Sequence, residues 1–444
     1  MRNRTSVLPV LTLVALICTL LAIPSLADSG ARIVRLSQVD GGVEVDRNTG
    51  KGFEKAFLNL PITQGMKLKS GFDGRAEVEF EDGSAIRITP DSVISFADLV
   101  LRDSGAKIST VNLQEGTAYV NFLANKNDKG DELTLTFGKQ KMTLTEAVHL
   151  RVQMNDADAT VAVFKGQAKI SAPGGEVAVE KNKTATFDLA SDKYLLAKNL
   201  EADPYDEWDK TQTQYHDRYT ADNAYSKTSP YAYGASDMSY YGSYSTVPGY
   251  GTMWQPYFAG AGWDPYMNGL WSYDPVYGYG WVSGYPWGWT PYHYGSWIYV
   301  PSYGWGWRPG GSWAGLNTQP RIGNGPTGWV APKPPATGTS TVAVRGGSFA
   351  TTTSGFLGPK MKIPENSAGL GVPRGITRNL GSFSTHAGQS GAASVRMPVS
   401  SSPGFSSFPG MSSGGHSSGG FSPRGVSGGS THSSGGHVGG GAHH

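Results

Sequence analysis

The chain has 444 residues, a formal net charge of +2, and 61 glycines and 27 prolines, together about a fifth of its length. That length allows two or three domains, and that composition leaves part of the chain without apolar area for a core. Residues 28–330 hold 27 basic and 34 acidic side chains, and residues 331–444 hold eight and one; neither surplus is dense enough for a nucleic-acid footprint, so nucleic acid is excluded as an expected partner.

Residues 1–27 read as an export signal. Arg2 and Arg4 precede the apolar run VLTLVALICTLLAI, and Ser25-Leu26-Ala27 places small residues where cleavage between Ala27 and Asp28 requires them. A retained anchor is the alternative, but the run is shorter than the roughly 20 apolar residues that span a bilayer. The expectation is therefore a periplasmic or extracellular protein with no transmembrane span after signal removal. Cys18 is the one cysteine. Its loss with the signal excludes disulfides, thiolate metal sites and cysteine nucleophiles from the mature chain.

Residues 28–199 carry strand signals at short intervals. In RAEVEFEDGSAIRITPDSVISF, Val78 and Phe80 alternate with charges, Asp82-Gly83 makes a turn, and Ile86 and Ile88 alternate on the return. That pattern predicts a β-hairpin. AKISTVNL, TAYVNF, LTLTF, AVHLRVQM, TVAVF, QAKI, EVAV and TATF continue it, separated by turn residues. The expectation is one antiparallel all-β domain in which each sheet has one buried and one wet face.

The segments GGVEV, LPITQGMKLKSGFDGRAEVEFEDGSAIRITPDSVISF, VNLQEGTAYVNF and VAVFKGQAKIS together resemble the FecR domain family over roughly residues 31–190. The resemblance implies that family's extracytoplasmic β-domain. In the family's best-known regulators a cytoplasmic segment reaches a sigma factor. This sequence offers none ahead of its export signal, so the resemblance does not imply sigma-factor control.

Residues 200–226 predict a helical connector. Asp203 and Pro204 open it, and acids follow in the first turn. Tyr205, Trp208, Gln212, Tyr215 and Tyr219 form one stripe, expected to pack on a neighbouring module.

Residues 227–330 change character. Eleven of the twelve tryptophans lie between Trp254 and Trp329, and Trp254, Trp263, Trp271, Trp281, Trp289, Trp297 and Trp307 recur every eight to ten residues. This spacing, with turn residues each time, predicts short strands in a repeat module. With its preceding DEW helix and central YHYGSW, the module resembles a bacterial family of unknown function that follows FecR-type domains. Two readings stay open. The rings form a core, with glycine letting them pack on backbone, or some remain exposed as a platform for sugar rings. Trp287, Trp289, Tyr292, Tyr294 and Trp297 are the candidate ligand-binding face, with cell-envelope polysaccharide or peptidoglycan as ligand.

Residues 331–444 are rich in Gly, Ser and His and are expected to be a disordered basic tail. GHSSG there has the spelling of a nucleophile elbow without its strand-turn-helix setting, and GNGPTG (323–328) spells a phosphate loop without the setting that works. His149, His216 and His293 read as surface or satisfied core residues. Asp264 and Asp274 read as Asp-Pro turn residues rather than an acid/base pair. No catalytic residue, metal site or cofactor is assigned.

The sequence thus predicts a mainly β chain: a FecR-like domain, a short helix, an aromatic short-strand module and a disordered tail. The expected role is that of an exported, non-catalytic envelope protein acting as a binding or structural module. A sensory accessory that binds an envelope protein through the β-domain is the first alternative, and a polysaccharide-acting enzyme the second.

Overall fold

The computed structural model describes residues 32–124, 130–221, 232–310, 313–316, 318–336, 341–345 and 360–396. The export signal with Ala27 and Asp28 lies outside the described residues, as do the tail histidines after His386.

Two sheets share one long strand, Lys107–Phe122. Its second half pairs with Ala85–Ile88 and Val148–Met154 in a first sheet. Its first half pairs with Ser92–Leu101 and, in parallel, with Glu132–Phe137 in a second. The changeover is at Gly116, whose φ of 84° is left-handed. A Cβ there would lie 2.3 Å from the Ser92 hydroxyl, so no other residue fits. The first sheet continues from Ala85–Ile88 through Arg75–Glu79 and Val34–Asp40 to Pro61–Ile62. On its other side Asp158–Lys165 and Thr184–Asp188 lead to Tyr194–Ala197. Apart from the pairing of Glu132–Phe137, the ladders of this domain are antiparallel. Val34, Leu36, Val78, Ile86, Val120 and Leu150 from the first sheet share one core with Leu68, Phe96, Leu113, Leu135 and Met142 from the second.

The predicted hairpin forms with Glu77 opposite Arg87 and Val78 opposite Ile86. Its charged face is not wet. Glu77, Glu79, Glu81 and Arg87 are all buried, so the expectation of one solvated face per sheet fails here. What covers that face begins with helix α1, Asp206–Ala221.

After α1 come α2, Ala235–Tyr241, and the aromatic module with the short helix α3, Thr290–His293. A five-stranded sheet is built on Gly242–Val247, Gly251–Pro256, Gly304–Arg308, Ser296–Val300 and Ile322–Asn324. A three-stranded sheet joins Gly278–Ser283, Gly269–Asp274 and Val342–Arg345. The eight-to-ten spacing has a clear consequence: it sets Trp254 and Trp297 opposite Trp307, and Trp271 opposite Trp281.

The expected disorder from residue 331 onward is corrected over two stretches, Val342–Arg345 in the three-stranded sheet and residues 360–396. Lys360–Pro364 pairs with Ala392–Arg396, and helix α4, Leu380–Ser390, lies between them. Met361, Ile363, Val372, Leu380 and Val395 join the aromatic core. Apolar residues at sparse intervals sufficed, because they pack on a cluster already built from buried tryptophan and tyrosine rings. Residues 397–444 lie outside the described residues.

Candidate functional site

The outer face of the first sheet carries a row of polar side chains beneath α1. Two stripes on the helix explain its placement. Gln212, Tyr215 and Tyr219 are buried, and the two tyrosines pack against Tyr240 of α2 at 5.5 and 5.0 Å between ring centroids. This is the stripe legible in the sequence, although its Tyr205 and Trp208 are only half-buried. The second stripe is Asp206, Asp209, Thr213 and His216, at helical spacing. Asp206 accepts from Arg151 at 2.5 Å and from the Tyr119 hydroxyl at 2.9 Å. Asp209 bonds Arg87 at 2.7 Å and His149 at 2.6 Å. The Thr213 hydroxyl accepts from Arg87 at 3.0 Å, and His216 Nε2 meets Glu77 at 2.9 Å.

Glu77 is the centre. It accepts from the Ser37 hydroxyl (2.6 Å), Arg87 Nε (2.7 Å) and Arg374 Nη1 (2.7 Å) as well as meeting His216. Burial alone raises its pKa, but His216, Arg374 and Arg87 outweigh that and hold it well below the usual carboxylate value of 4.5. Beside it, burial raises Glu79, with Asp237 and Glu77 adding to the effect and His216 and Arg35 opposing it. Asp237 of α2 is likewise fully buried, yet Arg374 and Arg35 lower it. Arg35 lies 2.7 Å from Asp237 and 3.1 Å from Glu79, and donates to the Pro286 carbonyl at 2.8 Å. Asn59 donates to the carbonyls of Ser283 and Tyr285. Gly234 N–H donates to Glu79 and Ala232 N–H to the Glu81 carbonyl. The β-domain and the aromatic module therefore meet through a buried polar network, in which Arg87 Nη2 and Arg151 Nε are left without a partner, beside a small apolar cluster of Ile33, Tyr233 and Trp289.

Ser236, His216 and Glu77 contain the atoms of a nucleophilic triad. The Ser236 hydroxyl is 3.0 Å from His216 Nδ1, and His216 Nε2 is 2.9 Å from Glu77. Ser236 has no exposed surface, and the carboxylate is engaged by two arginines. The trio ties α1, α2 and the sheet together.

The five rings expected as a ligand face lie inside the molecule. Trp287, Trp289 and Trp297 are 0% exposed, Tyr292 3% and Tyr294 4%. Trp287 stacks on Tyr285 with centroids 4.9 Å apart, lies tilted against Trp254 and meets Trp263 edge-on. Its indole N–H donates to the Ala368 carbonyl at 2.7 Å. Tyr292 donates to the Pro265 carbonyl. The platform reading is corrected at these positions: rings this closely stacked lose more water-exposed area inside than a single surface face would allow. Burial also lowers the pKa of His293 to about 3, leaving it neutral with its Nδ1 at the Gly315 carbonyl. Asp264 and Asp274 each accept backbone N–H groups two residues on, as turn residues do. The 323–328 glycine run starts in the short strand Ile322–Asn324, and the described residues 325–336 that follow hold no helix.

Sequence reasoning found the aromatic stripe of α1 but missed its acidic one. The signal was present as Asp206, Asp209, Thr213 and His216 at spacings of three and four. It reads as a solvated face until charges of opposite sign are known to face it.

Residues 66–169 match the FecR protein family, and residues 235–337 match a family of unknown function, DUF6600. The chain thus carries a FecR region followed by that module. No curated protein matches. Two crystal structures of an anti-sigma factor candidate from Parabacteroides distasonis, at 1.65 and 2.50 Å resolution, are similar to part of it. The first is 17% identical with a TM-score of 0.27, over 32% of this chain and 63% of that one. The second is 16% identical with a TM-score of 0.28, over 34% and 71%. This chain therefore spans slightly under two thirds of the first.

Proposed function

We propose that this chain is an exported, non-catalytic protein of the cell envelope, in which the FecR region and the aromatic module form one binding scaffold. The observation that carries the reading is where the chemistry-bearing groups are. The carboxylates, arginines, histidines and tryptophans that could act on a ligand are engaged with each other in the interior. Recognition is then left to the surface. Export rests on the sequence pattern of residues 1–27.

The surface feature best suited to recognition is the strand Tyr194–Ala197. Thr184–Asp188 pairs with one of its edges, and no described strand pairs with the other. Tyr194, Leu195 and Leu196 are 51%, 71% and 41% exposed. Exposed apolar edge strands are usually blunted, because they template strand addition. Lys193 and Lys198, both exposed, bracket this one. Their charge complements an extended segment flanked by acids, and the proposed partner is an envelope protein presenting such a strand. This favours the protein-partner reading over the polysaccharide one, whose ring face is in the core.

The test places a photo-crosslinking residue at position 195 of the full chain in its native host. A discrete protein adduct that disappears with Lys193→Glu plus Lys198→Glu supports the reading. An adduct indifferent to those charges, or retention of the chain on peptidoglycan with no protein adduct, overturns it.

A further inference from the structure

The folded stretch Lys360–Arg396 is attached differently from the other elements. Its strands pair with each other, and no described strand from elsewhere pairs with them. What holds it is side-chain burial, a few hydrogen bonds to its backbone, the Ser384 hydroxyl, which accepts from the Phe258 N–H at 2.8 Å, and one arginine. Trp287 donates to the Ala368 carbonyl, and the Tyr241 hydroxyl to the Val372 carbonyl at 2.6 Å. Arg374 reaches into the centre of the polar network. Its Nε and Nη2 fork onto Asp237 at 2.9 Å each, Nη1 meets Glu77 at 2.7 Å, and Nη2 donates to the Ser37 carbonyl at 2.8 Å. Its guanidinium also lies over the Tyr215 ring, 5.3 Å from the centroid.

The receiving socket does not need Arg374 to exist. Glu77 is fixed by Ser37, Arg87 and His216. Asp237 is fixed by Arg35 and by the Tyr215 hydroxyl at 2.8 Å. All of these groups belong to the sheet, α1 or α2. The body thus presents two oriented carboxylates, a carbonyl and an aromatic face, the set that a planar guanidinium recognises.

We propose that residues 360–396 are a releasable strap, that its Arg374 plugs an acidic socket preformed in the body, and that the plug exchanges with the strap of a second copy of this chain. The inference is independent of the edge-strand reading, since the two surfaces share no residue. Release would uncover the socket, the Trp287 N–H and the Tyr241 hydroxyl together. Exchange is a route to a dimer of low equilibrium cost, because the new contacts are the old ones made between copies.

The experiment uses the full chain with a protease site inserted between Arg345 and Lys360. Two preparations, one tagged at the mature N-terminus and one at the C-terminus, are cut and mixed. Precipitation of the N-terminal tag is expected to recover C-terminal fragments from the other preparation, while circular dichroism shows that the bodies keep their β signal. Arg374→Ala is expected to weaken retention of the fragment on the order of a hundredfold, because a buried carboxylate pair is left short of its cation. Arg374→Lys, which keeps charge but not the fork, is expected to fall between. The proposal is overturned if fragments never exchange, if exchange occurs only with loss of the β signal, or if Arg374→Ala holds its fragment as tightly as the parent.

Discussion

At Glu77, four partners from four separate parts of the chain converge on one carboxylate with no exposed surface. Replacing one member of a buried charge pair leaves the rest uncompensated, which costs about 3–5 kcal/mol. Glu77→Gln is therefore expected to destabilise the chain by about that amount, read as a lowered denaturant midpoint. The pH dependence follows from the same residues. Glu77 and Asp237 have folded pKa values below their ordinary 4.5 and 3.8. Their contribution is intact above those values and is lost as pH falls through the folded ones. Glu79 is raised, so its contribution has the opposite sign and declines as pH rises above 4.5. The lowered Glu77 and Asp237 predict a loss of stability on acidification below about pH 4.5, and Glu79→Gln, which removes an opposing contribution, is expected to flatten the neutral side of the profile. Thermal unfolding across pH 3–8 reads both; a midpoint indifferent to acid in both the parent and Glu79→Gln would overturn this prediction.

Among the elements, the aromatic strands depend on absent side chains. A Cβ on Gly242 would lie 2.3 Å from Cζ2 of Trp254, a ring with no exposed surface and an N–H donated to the Met238 carbonyl. Gly242→Ala is expected to cost about 1–3 kcal/mol or more through overpacking. Gly388, on the exposed side of α4, has nothing within 4 Å of a built Cβ. Gly388→Ala is expected to stabilise by roughly 0.5–1 kcal/mol through helix propensity alone. The contrast separates packing from propensity in paired melting curves. Helix α1 shows how legible an element was. Its start, its acids and its tyrosine stripe could be read directly, whereas the purpose of its acidic stripe required knowing that Arg87 and Arg151 project toward it from strands far away in the sequence.

For the whole molecule, the aromatic core and the strap are interdependent. Ending the chain at residue 330 removes Met361, Ile363, Val372 and Leu380 from that core. The truncated chain is expected to keep its β signal, melt at lower temperature and bind a hydrophobic dye that a chain ending at 396 does not. In the full chain, tryptophan emission is expected to be blue-shifted and poorly quenched by acrylamide, since Trp254, Trp271, Trp281, Trp287, Trp289, Trp297 and Trp307 are all nearly fully buried. Emission that moves on addition of peptidoglycan fragments would return the envelope-polymer reading to consideration.

The sequence by itself determined what is local. The 75–88 hairpin, the turn roles of Asp264 and Asp274, the start of α1 and the strand-length spacing of the tryptophans each depend on a few neighbouring residues and their backbone preferences. The order of a FecR region followed by an aromatic module was also legible. Only the tertiary structure decided which faces meet. Glu77, Glu79 and Arg87 have the pattern of a solvated face because alternation shows that a side chain points away from one core, not that a second body covers it. Composition favoured a core for any single ring but could not say which rings stay outside, and Trp287 and its neighbours were the wrong choice, since a ring's burial depends on what the rest of the chain lays against it. Arg374, 297 residues from Glu77, sits in a stretch whose composition reads as mobile, and its place was set by two carboxylates that the sheet, α1 and α2 already orient.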